Sequence, residues 1–340
     1  MKPMSRLLTL CVALLLTMSS CVHEYPDLGD PRDVVLHFHH DIEWSYHDML
    51  LSRGAVVPPA SRAEGVHARY HLMFFRDGEH GIPVLEREVM KEDLAREDFD
   101  EAVALPPGNY EVYLWSDYAD SELQRSFFFD SSDHANIVYS EPYNGNNELR
   151  DAFRAYASFT VYPSVEVSYR EEVSVTVERP MARYEIVATD FNEFVQKEAA
   201  RSRGTDSEET PGSPVAEISP ADYVVKVKYT GYMPSCFDNF RNTPVDSRLD
   251  MEYAAELTPL GTDEARIGFD YVMVNGEESS VKVAVEIYNK EGERIASSGS
   301  FDVPTKRSQN TTVRGRFLTT KANQGISIDP TFSGEYNVYI

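Results

Sequence analysis

Residues 173–188 read VSVTVERPMARYEIVA, two strand-like runs separated by an Arg-Pro pair. In the first run three valines alternate with short polar residues, which is typical of a strand with one buried face. The second run begins directly after Pro180, and proline interrupts a strand ladder because it has no backbone N–H. The segment therefore predicts two β-structured units that meet near residues 172–180.

The same alternation recurs on both sides of this segment. Val34, Leu36 and Phe38 alternate with polar residues, and the turn sequence PPGN at 106–109 precedes an aromatic-rich run. Further predicted strands are 69–75, 110–115, 223–229, 266–274, 280–288, 294–301 and 310–318. Short strands at this spacing favour an all-β sandwich fold over a βαβ fold.

Few segments have a helical pattern. The best is 190–200, where Asp190 and Glu193 fit a capping box, and a second short helix is predicted near 147–156. We therefore predict an all-β fold made of two tandem β-sandwich domains with few short helices. The expected domains are an N-terminal sandwich at 32–175 and a C-terminal sandwich at 176–340.

The first thirty residues predict export. Lys2 and Arg6 precede an apolar run of about 12 residues, too short for a spanning helix of roughly 20. Small residues ending at Ser20 precede Cys21, so residues 1–20 read as a signal peptide cut between Ser20 and Cys21. The sequence around Cys21 resembles a relaxed bacterial lipobox, which implies lipidation of Cys21 and a tether at 21–31. An ordinary secreted protein is the alternative.

The chain is strongly acidic, with 56 Asp and Glu against 32 Lys and Arg and a formal charge of −24. Removal of residues 1–20, which carry two basic and no acidic side chains, would change this to −26. Such a charge disfavours nucleic acid and anionic lipid surfaces as partners. About 320 residues would remain, which favours two domains because single cores seldom exceed 250–300 residues.

Cysteine use excludes an internal disulfide in the expected mature chain. Of three cysteines, Cys11 would leave with the signal peptide and Cys21 would carry lipid, which leaves Cys236. A buried structural thiol is favoured at Cys236 over a nucleophile, because no histidine-rich motif lies near it in sequence.

No catalytic motif is recognisable, and we predict neither enzymatic activity nor a cofactor. The most suggestive polar cluster contains His37, His39, His40, Asp41, Glu43 and His47. Two histidines at i and i+2 share a strand face and can bind zinc, but His39 and His40 would point to opposite faces. A solvated strand face is favoured over a metal site.

Four stretches resemble the FimB-like minor fimbrial subunits and fimbrial anchor lipoproteins of Bacteroidales. They are VTVERPMAR at 175–183, PPGNYEVYLWSD at 106–117, YTGYMPS at 229–235 and GISIDPTFSGEYN at 325–337. The resemblance extends from the lipobox to the C-terminus, although these are packing and turn patterns rather than chemistry. It implies two transthyretin-like sandwiches and a role as an outer-membrane anchor or accessory subunit, with pilin-like lipoproteins as partners.

The resemblance also implies assembly by donor-strand β-augmentation, in which an extended segment of one subunit fills a groove in another. Tyr336, Val338 and Ile340 alternate with polar or aromatic residues at the chain end and form a candidate donor strand. The alternative is that this tail is the last strand of its own domain. Arg53 is a candidate site for the protease cut that removes the first strand in related major pilins, whereas an anchor is expected to keep Cys21.

A surface glycan-binding lipoprotein outside any fimbria is the alternative function, and a host ligand is conceivable in either case. Trp44 and Trp115 could supply stacking platforms for sugars. Aromatic residues in alternating strands are more often part of the core.

Overall fold

The structure, a computed structural model, describes residues 30–40, 65–78, 80–92, 97–120, 122, 125–163, 170–205, 219–319 and 336–339. The strands are β1 (Arg32–His40), β2 (Val66–Arg76), β3 (Leu85–Lys91), β4 (Phe99–Leu105), β5 (Gly108–Asp120), β6 (Arg125–Ser126), β7 (Phe129–Asp130), β8 (Ile137–Tyr139), β9 (Phe153–Val161), β10 (Arg170–Glu178), β11 (Met181–Ala188), β12 (Tyr223–Tyr229), β13 (Met233–Asp238), β14 (Thr243–Arg248), β15 (Glu252–Glu256), β16 (Thr258–Pro259), β17 (Ala265–Met273), β18 (Glu278–Asn289), β19 (Arg294–Ser297), β20 (Phe301–Lys306), β21 (Asn310–Gly315) and β22 (Tyr336–Tyr339). The described helices are α1 (Phe191–Thr205) and the 3-10 turns Glu148–Arg150 and Pro220–Asp222.

Most of the strands before Pro180 form an N-terminal sandwich. One sheet has the order β3-β2-β5-β9 and the other β10-β1-β4, and they join where β9 pairs with the last two residues of β10. Alternate side chains of these strands face inward because successive residues of a strand point to opposite faces. The core between the sheets includes Val34, Leu36, Phe38, Tyr70, Leu72, Phe74, Val112, Leu114, Phe153, Val173, Val175 and Val177.

Most of the strands after Pro180 form a C-terminal sandwich. One sheet has the order β16-β17-β11-β21-β22, and the other contains β15-β12-β18, with β19 and β20 both pairing with β18. The core between them includes Tyr184, Ile186, Val225, Val227, Ile267, Phe269, Val283, Val285 and Val303. The all-β prediction with few helices is confirmed.

Helix α1 packs on one end of the C-terminal sandwich, with the rings of Phe194 and Tyr223 4.9 Å apart. The carboxylate of Asp190 accepts hydrogen bonds from the backbone amides of Leu318 and Thr319. Glu193 pairs with Arg316 at 2.5 Å. The two acidic residues of the predicted capping box therefore tie the start of α1 to the segment that follows β21.

The segment between β5 and β9 links the two sandwiches. β8 pairs with β13, and β7 and β14 complete this four-stranded sheet on either side. Phe129, Ile137 and Tyr139 of the segment belong to the C-terminal core. The chain thus enters the C-terminal core before it completes the N-terminal sandwich with β9 and β10.

One detail differs from the expectations drawn from the sequence. The predicted helix near 147–156 is wrong, because a single 3-10 turn ends at Arg150 and β9 begins at Phe153, whose side chain is buried. The domain boundary stays a prediction, and residues 175 and 176 both lie in β10. The chain passes from one sandwich to the other at Arg179-Pro180, which we call the junction.

The junction is held by a buried ion pair. Nε and Nη2 of Arg179 each lie 2.8 Å from an oxygen of Asp151, and the guanidinium lies over the Phe153 ring at 4.9 Å from its centroid. A bidentate pair of this kind fixes direction as well as distance. The end of β10 is therefore held against the start of β9.

Arg150 of the linking segment is buried in the C-terminal core and pairs with Asp270 of β17. The Arg150 Nε–Asp270 Oδ1 distance is 3.0 Å, and the side chains are 1% and 0% exposed. The other carboxylate oxygen accepts hydrogen bonds from the hydroxyls of Tyr143 at 2.5 Å and Tyr229 at 2.7 Å. Burial raises the pKa of both tyrosines well above 10, so both hydroxyls stay protonated and donate. A buried charge needs such partners.

None of the described helices is long and apolar enough to span a membrane.

Replacement of Arg150 by Ala should destabilise the protein by about 3–5 kcal/mol, because Asp270 would remain buried without its cation. Arg248, which pairs with Glu141 on the surface, provides a matched control. Arg248→Ala should change the free energy of unfolding by less than about 1 kcal/mol. Chemical denaturation measures both variants, and equal effects would refute the structural role of the buried pair.

Candidate functional site

Strand β1 comes first among the described elements, yet it lies in the middle of a sheet. It pairs in parallel with β10 from Asp33–Arg170 to His40–Val177, and antiparallel with β4 from Arg32–Leu105 to Phe38–Phe99. A strand with neighbours on both sides completes two hydrogen-bond ladders. Without β1, a groove would separate β4 and β10, and both would present unpaired backbone groups.

The inward face of β1 supplies part of the N-terminal core. Val34, Leu36 and Phe38 are each 0% exposed. The Phe38 ring stacks on Phe99 of β4, with centroids 4.8 Å apart. Full burial of such side chains stabilises a fold by about 1.5–3 kcal/mol each. Any strand that occupied the groove would need a similar row of alternating apolar side chains.

The outward face of β1 carries His37 between two acidic side chains from its neighbouring strands. His37 Nδ1 lies 2.7 Å from Asp100 Oδ1 on β4, and Nε2 lies 2.5 Å from Glu172 Oε2 on β10. His39 Nδ1 lies 3.0 Å from Asp98 Oδ2. An imidazole with a carboxylate at each nitrogen donates to both only when it is protonated. When it is protonated, His37 therefore bridges the two strands.

These contacts shift the titration of both partners. Hydrogen bonds to Glu172 and Asp100 raise the pKa of His37 above 6.5. The hydrogen bond from His37 lowers the pKa of Glu172 below 4.5. Stabilisation through His37 is complete below pH 6.5 and is lost as pH rises through the raised pKa, whereas that through Glu172 is lost as pH falls through the lowered pKa. The bridge is strongest between these two limits.

The C-terminal tail provides the outermost strand of a sheet in the other sandwich. β22 pairs in parallel with β21 from Thr311–Tyr336 to Arg314–Tyr339. Of the candidate donor residues, Tyr336 and Val338 lie in β22, and Ile340 lies outside the described residues. Among the strands that the structure describes, β21 is the one neighbour of β22. The donor role of the tail stays a prediction.

Several residues singled out from the sequence lie outside the described part of the chain. They are Ser20, Cys21, Asp41, Glu43, Trp44, His47 and Arg53. The lipidation, signal-cleavage and protease-cut assignments stay predictions.

The predicted alternation of His39 and His40 is present in β1. The His39 side chain faces solvent, whereas His40 points inward, with its ring centroid 6.0 Å from Tyr70 and 6.2 Å from Phe153. Each nitrogen of His37 faces a different carboxylate. Within the described ranges, no group of three or more His, Cys, Asp or Glu side chains is placed to hold a metal.

Trp115 is a core residue at the meeting of the two sandwiches. It is 1% exposed, and its ring lies 5.5 Å from Phe129 and 5.8 Å from Phe237. It therefore offers no platform for a sugar. Cys236 is also buried, and burial raises the pKa of its thiol. A thiol that ionises less readily is less reactive.

Three acidic residues of this site were not identified from the sequence, namely Asp98, Asp100 and Glu172. The chain contains 56 acidic residues, so none of the three stands out by composition. Their significance depends on strand register, which places Asp100 opposite His37 across the β1–β4 pair. Glu172 is 135 residues from His37 in sequence.

Residues 33–340 match a family described as a family of unknown function, DUF6562. The chain belongs to this family. No curated protein matches the sequence.

Solved structures similar to this member of DUF6562 include a fimbrial anchor protein, a candidate cell adhesion protein and a candidate polysaccharide-binding protein. A fimbrial anchor protein of Porphyromonas gingivalis has 12% identity and a TM-score of 0.40, covering 78% of this chain and 81% of its own. A candidate cell adhesion protein of Bacteroides eggerthii has 8% identity and a TM-score of 0.43, covering 92% and 98%. A candidate polysaccharide-binding protein of Bacteroides thetaiotaomicron has 10% identity and a TM-score of 0.42, covering 79% and 80%.

The docking of β1 should depend on pH through His37. Between pH 5.5 and pH 8.5 we expect slower amide exchange in β1 at the lower pH, because the imidazolium bridges Asp100 and Glu172 there. His37→Gln should remove most of this difference, whereas His67→Gln, on β2, should not. Hydrogen exchange with mass spectrometry measures the difference in β1 exchange between the two pH values, after correction for the intrinsic pH dependence of exchange. A pH response unchanged in His37→Gln would refute the bridge.

Proposed function

We propose that this chain is a lipid-anchored minor subunit of a fimbria, either its anchor or an accessory subunit, with a structural and adhesive role and no catalysis. It would be held at the outer membrane through lipid on Cys21, with its body at the cell surface. Its partners would be other, pilin-like fimbrial subunits. The acidic surplus of the chain supports a body held off an anionic surface by a tether.

The observation that carries the proposal is the central position of β1. Only ten residues, 22–31, lie between Cys21 and Arg32, where β1 begins. A lipid on Cys21 would thus be joined through a short tether to a strand that is hydrogen-bonded on both sides and buried on one face. This is the attachment that an anchor needs, because pulling on the lipid would pull on the core of the domain.

The strand directions support an arrangement with the N-terminal sandwich nearer the membrane. β1 runs toward the junction, since His40 lies opposite Val177, and Arg32 is about 26 Å of strand away from it. β11 leaves the junction in the C-terminal sandwich, and β22 lies parallel to β21, which is parallel to β11. The tether and the tail would then leave on opposite sides of the junction, one toward the membrane and one toward the next subunit.

The tail supports joining by β-augmentation. An extended segment at a chain end can add to a neighbouring subunit through main-chain hydrogen bonds, with alternate side chains in pockets. Tyr336, Val338 and Ile340 provide the alternation, and among the described strands β22 has one neighbour, β21. We infer that the tail leaves β21 to complete a sheet of the partner.

Membrane attachment is tested by Cys21→Ala, with Cys236→Ala as the matched control. Loss of the acylated thiol should move the protein from the outer-membrane fraction to the soluble fraction, whereas loss of the buried thiol should leave its location unchanged. Fractionation with immunoblotting measures both variants. Retention of Cys21→Ala in the membrane would exclude the lipid anchor.

The partner is tested by crosslinking in native outer membrane, followed by mass spectrometry of the bait's N-terminus and its partners. We expect pilin-like lipoproteins together with an acylated Cys21, and loss of these partners when residues 336–340 are deleted. Full partner recovery after the deletion would show that the tail is only the last strand of its own domain. A mature N-terminus at Gly54 would indicate cleavage after Arg53 and a polymerising subunit, and glycan-uptake proteins as partners would favour the glycan-binding alternative.

A further inference from the structure

Tension would enter at the start of β1 and leave at the end of β10. These two points lie at opposite ends of the β1–β10 pair. The tether precedes Arg32, at the start of β1, and the chain continues from Glu178, at the end of β10, into the C-terminal sandwich. The strands are parallel over eight residue pairs, from Asp33–Arg170 to His40–Val177. Tension between the membrane and the C-terminal sandwich would therefore pull β1 backward along its own axis, against β10.

We propose that β1 is a mechanical clamp that carries tension between the N-terminal attachment and the rest of the protein by shear. In shear, all hydrogen bonds between β1 and its two neighbours share the force, and they must break together before the strand moves. A strand pulled away from one end instead loses its hydrogen bonds one pair at a time. The biological role of the clamp rests on the proposed attachment through Cys21. The strand geometry itself does not depend on the lipid.

Side-chain contacts oppose sliding in addition to the backbone ladders. A shift of one residue would turn the apolar row Val34, Leu36 and Phe38 to solvent and bring His37 into the core, because side chains alternate between faces. A shift of two residues would separate His37 from both Asp100 and Glu172. The first slip therefore disrupts the core and the histidine bridge at once.

The C-terminal end of β10, at the junction, is also held by side-chain contacts. Arg179 forms the buried bidentate pair with Asp151, and Arg154 of β9 donates to Glu178. Arg154 also donates from Nε to Asn239 Oδ1, at a distance of 3.0 Å. Asn239 follows β13, in the C-terminal part of the chain. Tension that reaches the junction is thus distributed over β9 and β10. Because these two strands are held there, rupture would begin with β1 sliding along β10.

The test compares two pulling directions on the mature chain, residues 21–340, made without lipid. One DNA handle is attached at Cys21, in a Cys236→Ser background, and the second at a single introduced cysteine. Arg125→Cys places the second handle beyond the far end of β1, because β6 pairs with the last residues of β5, on the junction side of the sandwich. Arg170→Cys places it beside the start of β1, opposite Asp33. Both arginines are exposed and belong to the N-terminal sandwich.

Optical tweezers measure the force of the first rupture in each variant. We expect a rupture force several-fold higher with the handle at residue 125, which shears β1, than with the handle at residue 170, which peels it. Equal forces, or a lower force at residue 125, would overturn the clamp. Matching thermal melting curves of the two variants confirm that both start from the same fold.

The failure of this proposal is distinguishable from the failure of the proposed function. The force comparison uses protein without lipid, so equal rupture forces overturn the clamp and leave membrane attachment untouched. Conversely, membrane retention of Cys21→Ala overturns the anchor whatever the rupture forces are.

Discussion

The insertion of β1 between β4 and β10 is the constraint on which the N-terminal sandwich depends. It completes a three-stranded sheet that would otherwise consist of two strands without a common neighbour. Its inward side chains, Val34, Leu36 and Phe38, belong to the core that β2 and β5 also line. Parallel pairing with β10 requires that most of the domain be folded between these two strands. The contacts of β1 with β10 therefore join the two parts of the N-terminal sandwich that are farthest apart in sequence.

A second constraint joins the two sandwiches through buried contacts of the linking segment. The linking segment from β7 to the 3-10 turn lies in sequence between strands of the N-terminal sandwich but buries Phe129, Ile137 and Tyr139 in the C-terminal core. Arg150 shows the physical reason, since its charge is tolerable in that core only beside Asp270 and the tyrosine hydroxyls around it. Neither sandwich can leave this arrangement without exposing apolar surface or separating buried charges.

The strands and their inward faces could be predicted from the sequence, because period-two alternation is a local property. The predicted runs at 181–188 and 223–229 coincide with β11 and β12. The false helix near 147–156 arose where the local pattern was ambiguous and a non-local contact decided: Arg150 is drawn into the core by an acid 120 residues away. The acids around His37 were missed for the same reason, since only strand register brings Asp100 and Glu172 to the two sides of one imidazole.

The sequence by itself determined that this is a mainly β protein in two parts, with an N-terminus that predicts export and lipidation and a tail whose alternation suits an added strand. Those properties depend on neighbouring residues, on composition and on chain order, all of which are readable without coordinates. Only the tertiary structure decided which strands are neighbours, that β1 is central and parallel to β10, and that a segment of the first half folds into the second. These features depend on contacts between residues far apart in sequence, where packing and the pairing of buried charges select one arrangement among many that satisfy the same local patterns.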